Sequence, residues 1–97
     1  MDTIYTPIEF FGIQHQRQKA VEEMAELIVA MAHEDEGRAT KQEVITEIAD
    51  VYYLTEQLMH IYGIDECRAE LARKKDRTLE RIKNQMSNKE WARLMPG

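Results

Sequence analysis

Cysteine is almost missing from this chain: Cys67 is the one thiol in 97 residues. With no intrachain partner it excludes a disulfide framework. A reducing compartment and a lone buried thiol are the simple reading. Glycine and proline are also scarce, at four and two, so little interrupts helices. No stretch alternates strictly between apolar and polar residues, which argues against a sheet. No apolar run approaches twenty residues and no basic-then-apolar leader opens the chain. The expectation is a protein outside the membrane and the secretory route, hence cytoplasmic. The length allows one domain over residues 1–97, and the modest core that such a chain buries favours self-association.

What is abundant is Ala, Leu, Ile, Met, Glu, Lys, Arg and Gln, a helix-forming vocabulary. An all-α bundle of about four helices follows. The net charge of −5 argues against a nucleic-acid partner. Its distribution is uneven. Residues 1–65 hold thirteen acids and four bases, whereas residues 66–83 hold seven bases and four acids. Acidic central helices followed by a basic one suit a metal ion together with phosphates.

Thr6-Pro7-Ile8-Glu9 reads as a helix start, with Thr as cap and Pro at the first helical position. Gly12 leaves open whether this segment is a separate short helix or a prelude. A long helix is expected from about Gln14 to His33, then a polar loop broken at Gly37. Thr40-Lys41-Gln42-Glu43 is a capping box opening a helix to about Tyr62, which Gly63 stops. Asp65 is expected to cap a helix over about Glu66–Met86. Ser87-Asn88-Lys89-Glu90 starts a last turn near Trp91, within a C-terminal tail of 87–97 whose end, Met95-Pro96-Gly97, is expected to fray.

The expected apolar seam of the Gln14–His33 helix is Val21, Met24, Ala25, Ile28, Met31 and Ala32. Glu22, Glu23 and Glu26 fall on the opposite side. That side continues into Val29 and Ala30, so the helix reads as covered on more than one face. In the next helix the expected seam is Val44, Ile48, Val51, Tyr52, Thr55, Leu58, Met59 and Tyr62. Thr46, Tyr53, Glu56, Gln57 and His60 mark the wet arc. Glu47 and Asp50 share a stripe with Leu54 and Ile61, and should be semi-buried.

Carboxylates are seldom buried without a partner, because desolvation costs several kcal/mol. The pairs Glu23/Glu26 and Glu47/Asp50 are each spaced by three, so each projects from one helical face. Two antiparallel helices can bring them together. Oxygen donors without His or Cys suit Mg²⁺, or Mn²⁺. Salt bridges to the basic helix are the competing account. In that helix Lys74, Arg77 and Arg81 share a stripe beside a seam of Ile64, Cys67, Leu71, Thr78 and Ile82, from where long side chains can reach phosphate oxygens. Pairing of Glu70 with Lys74 or Arg73 is the alternative. His15, His33 and His60 are not at zinc-ligand spacings and read as surface or packing residues. Trp91 and the tyrosines read first as packing residues, with stacking on a base the alternative for Tyr52 or Tyr53, and no glycine-rich phosphate loop exists.

Glu22-Glu23-x-x-Glu26, a gap of twenty residues, then Glu47-x-x-Asp50 resembles the MazG-like all-alpha nucleoside triphosphate pyrophosphohydrolases. The resemblance runs from about residue 14 to 82. It includes Gln18-Lys19 before the first acids, Ile48-Ala49-Asp50-Val51 in the second motif and Lys74-x-x-Arg77 in the following helix. It implies a helical bundle completed by dimerisation, sometimes as a tetramer. It also implies cleavage between the α and β phosphates of a nucleoside triphosphate, giving a monophosphate and pyrophosphate. Glu23, Glu26, Glu47 and Asp50 match the family's Mg²⁺ ligands. Glu22 matches a further acid that orients or deprotonates water, a role Glu26 can share. Lys74 and Arg77 fall where basic residues meet phosphates. The second motif is also similar to phosphoribosyl-ATP pyrophosphohydrolase, which ranks second because the N-terminal segment lacks that enzyme's usual pattern. A helical interaction or regulatory module without catalysis is the third reading.

Overall fold

The computed structural model describes residues 1–95. Five helices and no strand occur among them: α1 (Tyr5–Phe11), α2 (Ile13–Asp35), α3 (Lys41–Tyr62), α4 (Ile64–Gln85) and α5 (Asn88–Leu94). The chain divides into two units, Met1–Ile64 and the part from Asp65 onward. The fold is all-α, as the composition requires. None of these helices is long and apolar enough to cross a membrane.

The first unit is built on α2 and α3, with α1 packed against both. Gly12 settles the status of α1. It closes that helix through its N–H to Ile8 O and also serves as N-cap of α2, at a φ of +92°. No linker residue separates the two helices, and only glycine adopts that φ without strain. The start of α1 differs from expectation. Thr6 is already inside the helix, and Ile4 is the N-cap without a side-chain bond. Asp2 does the capping work, its carboxylate accepting from the N–H groups of Ile4 and Tyr5 at 2.7 Å each. Those bonds, with Tyr5 first, hold the Asp2 carboxyl below its ordinary range.

The capping box of α3 forms as expected: Glu43 N–H donates to Thr40 Oγ1 at 3.1 Å, and Thr40 N–H donates to Glu43 Oε2 at 2.7 Å. Ser87 and Glu90 repeat it at α5. Asp65 lies in the first turn of α4 rather than at its cap, because the helix starts directly after Gly63. The expected fraying of the last residues falls on Pro96 and Gly97, which lie outside the described residues.

The inward faces differ from the expected seams. Buried residues of α2 are Gln16, Ala20 and Glu23, and those of α3 are Val44, Leu54 and Gln57. Leu27, Ala30, Val51 and Leu58 are half-buried. The expected α2 seam instead faces outward: Val21 is 66% and Ile28 69% exposed, and Met24 and Met31 are also exposed. On α3, Val44 is inside, but Ile48, Tyr52 and Tyr62 are exposed. The physical reason is that α2 is apolar on more than one side. Its narrow side of Ala20 and Ala30, with polar Gln16 and Glu23, meets α3, and its widest apolar stripe lacks a partner within this unit.

The expected wet arc of α3 is also partly covered. Gln57 is 1% exposed. The Tyr53 hydroxyl donates to Thr3 O, and His60 Nδ1 meets the Tyr5 hydroxyl at 2.7 Å. The start of the chain lies over part of this arc, where Thr3 and Tyr5 meet Tyr53 and His60.

In the second unit, Leu71, Leu79 and Ile82 of α4 are exposed and Cys67 is half-buried. Arg73 pairs with Glu70 one turn away, so the intrahelical pairing weighed for Glu70 goes to Arg73.

Candidate metal centre

Glu23 and Glu26 occupy one face of α2, and Glu47 lies on the facing stripe of α3. One carboxylate oxygen from each lies within 4.8 Å of the others. Burial rises across the set: Glu26 is exposed, Glu47 is half-buried, and Glu23 is only 8% exposed. The i, i+3 spacing on α2 and the antiparallel approach of α3 are the whole cause of this convergence.

Three carboxylates so close repel one another. The effect falls on Glu26, whose carboxyl is raised above its ordinary value of 4.5. The close approach of the Glu23 carboxylate is the largest cause, followed by desolvation and the Glu47 charge. Lys19, one turn before Glu23, offsets part of this. Its Nζ lies 3.3 Å from Glu23 Oε1 and 3.9 Å from Glu22 Oε2. Those acids in turn raise the Lys19 ammonium, the hydrogen bond to Glu23 most of all.

Glu23 Oε2 and Glu47 Oε2 are buried and have no hydrogen-bond partner in the protein. Two unpaired carboxylate oxygens beside a third carboxylate are costly unless a cation joins them. All donors are hard oxygens, so the set fits Mg²⁺ or Mn²⁺.

The expected site residues therefore separate. Glu23, Glu26 and Glu47 converge. Asp50 is exposed and lines a cavity with Glu23 but is not a member of the cluster. Glu22 points out beside Lys19, its side chain 57% exposed. Lys74, Arg77 and Arg81 are exposed on α4 in the second unit. Lys19 is the cation that reading the sequence missed as a site residue. The signal was there in its i, i+4 spacing to Glu23.

Two cavities adjoin the cluster. One, about 560 Å³, is lined by Glu26 and Glu47 together with Val29, His33 and Arg38. The other, about 310 Å³, is lined by Glu23, Asp50 and Lys19 and by the aromatic rings of Phe11 and Tyr53. Glu26 and Glu47 thus line one opening and Glu23 the other.

Searches among curated proteins and among solved structures give no match. The sequence profile of the phosphoribosyl-ATP pyrophosphohydrolase family matches residues 2–75, which takes in α1 to α3 and half of α4. The chain therefore belongs to the phosphoribosyl-ATP pyrophosphohydrolase family, within the MazG-like all-alpha superfamily, and is a nucleotide pyrophosphohydrolase acting on an acid anhydride.

Proposed function

We propose that this protein hydrolyses the α–β phosphate bond of a nucleoside triphosphate in a Mg²⁺-dependent reaction, giving a nucleoside monophosphate and pyrophosphate. The observation that carries it is the pair of orphaned oxygens on Glu23 and Glu47 within the three-carboxylate cluster. Glu23, Glu26 and Glu47 are the residues that would hold the cation, with Asp50 beside Glu23 on the cavity wall. Bound there, Mg²⁺ supplies Lewis acidity and screens the phosphate charge.

The chain's own residues do the rest. Glu26, at the exposed edge of the cluster, is one candidate to accept the proton of the attacking water. Glu22, beside Lys19, is the second candidate for that role. Water adds across the anhydride, the bridging P–O bond breaks, and pyrophosphate leaves with the electron pair. Lys74, Arg77 and Arg81 are the proposed phosphate-binding cations, since guanidinium and ammonium groups stabilise the charge on that leaving group. Mn²⁺ is an acceptable substitute for these oxygen donors.

A second reading has its own support. The family match names phosphoribosyl-ATP, a substrate with the same triphosphate and the same scissile bond. Pyrophosphate release from a panel of canonical triphosphates and phosphoribosyl-ATP, with Mg²⁺ and a Glu47→Gln control, separates the two. Turnover of phosphoribosyl-ATP alone favours the second. Metal-independent release, or none from any substrate, sinks both.

The exposed stripe of Val21, Met24, Ile28 and Met31 supports a homodimer or homotetramer. The net charge of −5 favours a nucleotide over a nucleic acid as partner. A cytoplasmic location suits that substrate and the single thiol.

A further inference from the structure

The hairpin of α2 and α3 carries the carboxylate cluster, yet little in it is directional. Its buried apolar residues are Ala20, Val44 and Leu54, and apolar burial alone tolerates a slip between helices. No ion pair joins the two helices among the described residues. Glu23, Glu26 and Glu47 repel one another across the interface. One side-chain hydrogen bond spans it: Gln16 Nε2 donates to Gln57 Oε1 at 2.8 Å, with Gln16 5% and Gln57 1% exposed. His15 Nδ1 meets Gln16 Oε1 at 2.7 Å, which turns the Gln16 NH₂ group toward α3. Nearby, Arg17 lies 5.8 Å from the centre of the Tyr62 ring, an exposed contact with little directional hold.

As core filling, the glutamine pair is a poor choice. Gln57 Nε2 is buried without a partner, a cost that two apolar side chains of the same shape would not carry. The best-attested reason to keep such a group is register, as with a single buried Asn in a coiled coil. The positions fit that reason. The loop between Asp35 and Lys41 ties one end of the hairpin, the glutamine pair ties the other, and the acids lie between. Gln16 and Glu23 are both buried and stand two turns apart on α2, about 10 Å along the axis. A slip of one turn, about 5.4 Å, exceeds the 4.8 Å within which the three carboxylate oxygens meet.

We propose that Gln16 and Gln57 are positioning residues for the metal centre. Their hydrogen bond sets the register of α2 against α3, and through it the distance of Glu47 from Glu23 and Glu26. Neither glutamine touches the ion or the substrate. Their effect on a cation rests on the Mg²⁺ reading of the cluster, whereas the register itself is measurable on the metal-free chain.

The test compares the full-length wild type with a double variant, Gln16→Met and Gln57→Met, which keeps the side-chain length and removes the hydrogen bond. Mn²⁺ affinity by electron paramagnetic resonance should fall about tenfold or more, the loss expected when the support behind metal ligands is removed. The urea midpoint of the metal-free chain should hold or rise, because the orphaned donor is gone. In the metal-free amide spectrum by nuclear magnetic resonance, the single set of α2 and α3 peaks should split into several, one for each register. A pair that only stabilises the core gives the opposite result, a lower midpoint with affinity kept. Mn²⁺ affinity within about twofold of wild type overturns the positioning role, whatever the midpoint. So does a double variant that no longer folds. Where affinity and midpoint fall together, the metal-free spectrum decides. It also decides where the wild type binds no Mn²⁺ and the cation reading fails. Several sets of peaks retain the register role, and one set at the wild-type positions removes it.

Discussion

Lys19 Nζ lies 3.3 Å from Glu23 Oε1, and the other oxygen of that carboxylate is buried without a partner. One lysine therefore satisfies half of one acid in a cluster of three. Replacing Lys19 with Met should lower the melting temperature of the metal-free chain, because the carboxylates lose their nearest cation. The same change should enlarge the Mg²⁺-induced rise, since the ion no longer competes with an ammonium for Glu23. Differential scanning fluorimetry with and without Mg²⁺ reads both. An unchanged Mg²⁺ response in the variant would mean that the ion binds elsewhere.

Glu47 contributes the third carboxylate from a different helix, and its Oε2 is the second orphan. Glu47→Gln keeps the shape and removes the charge. Mn²⁺ affinity, followed by electron paramagnetic resonance, should fall at least about tenfold, about 1.4 kcal/mol. Metal-free stability should rise, because a repelling charge is gone. Glu34→Gln, exposed near the end of α2, is the matched control and should change neither.

These first two predictions use residues whose places were unequally legible. The capping boxes Thr40/Glu43 and Ser87/Glu90 could be read directly, because a cap is a contact within four residues. The Glu23, Glu26 and Glu47 cluster was legible too, since three-residue spacing and one helical hairpin suffice to build it. Asp50 shares the stripe of Glu47 but is exposed, and helical phase alone does not separate neighbours on one stripe. The α2 seam was assigned to the wrong side because periodicity finds apolar faces but not their partners. Gln57 was placed in water for a related reason. Nothing local says that Gln16 of α2 pairs with it.

Glu26 makes a pH-dependent contribution whose sign is opposite to that of an ion-paired acid. Its carboxyl is raised above 4.5 in the fold, mainly by Glu23. The folded chain thus binds this proton more tightly than the unfolded chain. The stabilisation is full below the unfolded value and is lost as pH rises through the folded value. Glu26→Gln has no such loss. Its melting temperature relative to wild type, both metal-free, should therefore climb as pH goes from 4 to 7. A difference that stays flat across that range would show that Glu26 does not feel its neighbours.

The outward stripe of α2 yields a prediction about assembly. Ile28 is 69% exposed and lies in line with Val21, Met24 and Met31. If a second copy covers this stripe, burying one large aliphatic residue contributes about 1.5–3 kcal/mol at each contact. Ile28→Glu places a charge there and should turn an oligomer into a monomer by light scattering after size exclusion, with helicity by circular dichroism retained. A wild-type monomer at 100-micromolar-order concentration (roughly the range where weak dimers appear) would refute the self-association reading.

Thr40 holds the start of α3, the helix that carries Glu47, Asp50 and Gln57. Its hydroxyl accepts from Glu43 N–H, and its own N–H donates to the Glu43 carboxylate. Thr40→Ala removes the acceptor and should cost about 1 kcal/mol in urea unfolding, with no change in the slope of the transition. Glu47 sits two turns in, beyond the first turn that loss of the cap would loosen, so Mn²⁺ affinity should stay within about twofold of wild type. A loss of affinity as large as that of Glu47→Gln would mean that the cap holds the whole of α3 in register against α2. The carboxylate cluster would then depend on the end of the helix as well as on its packed face.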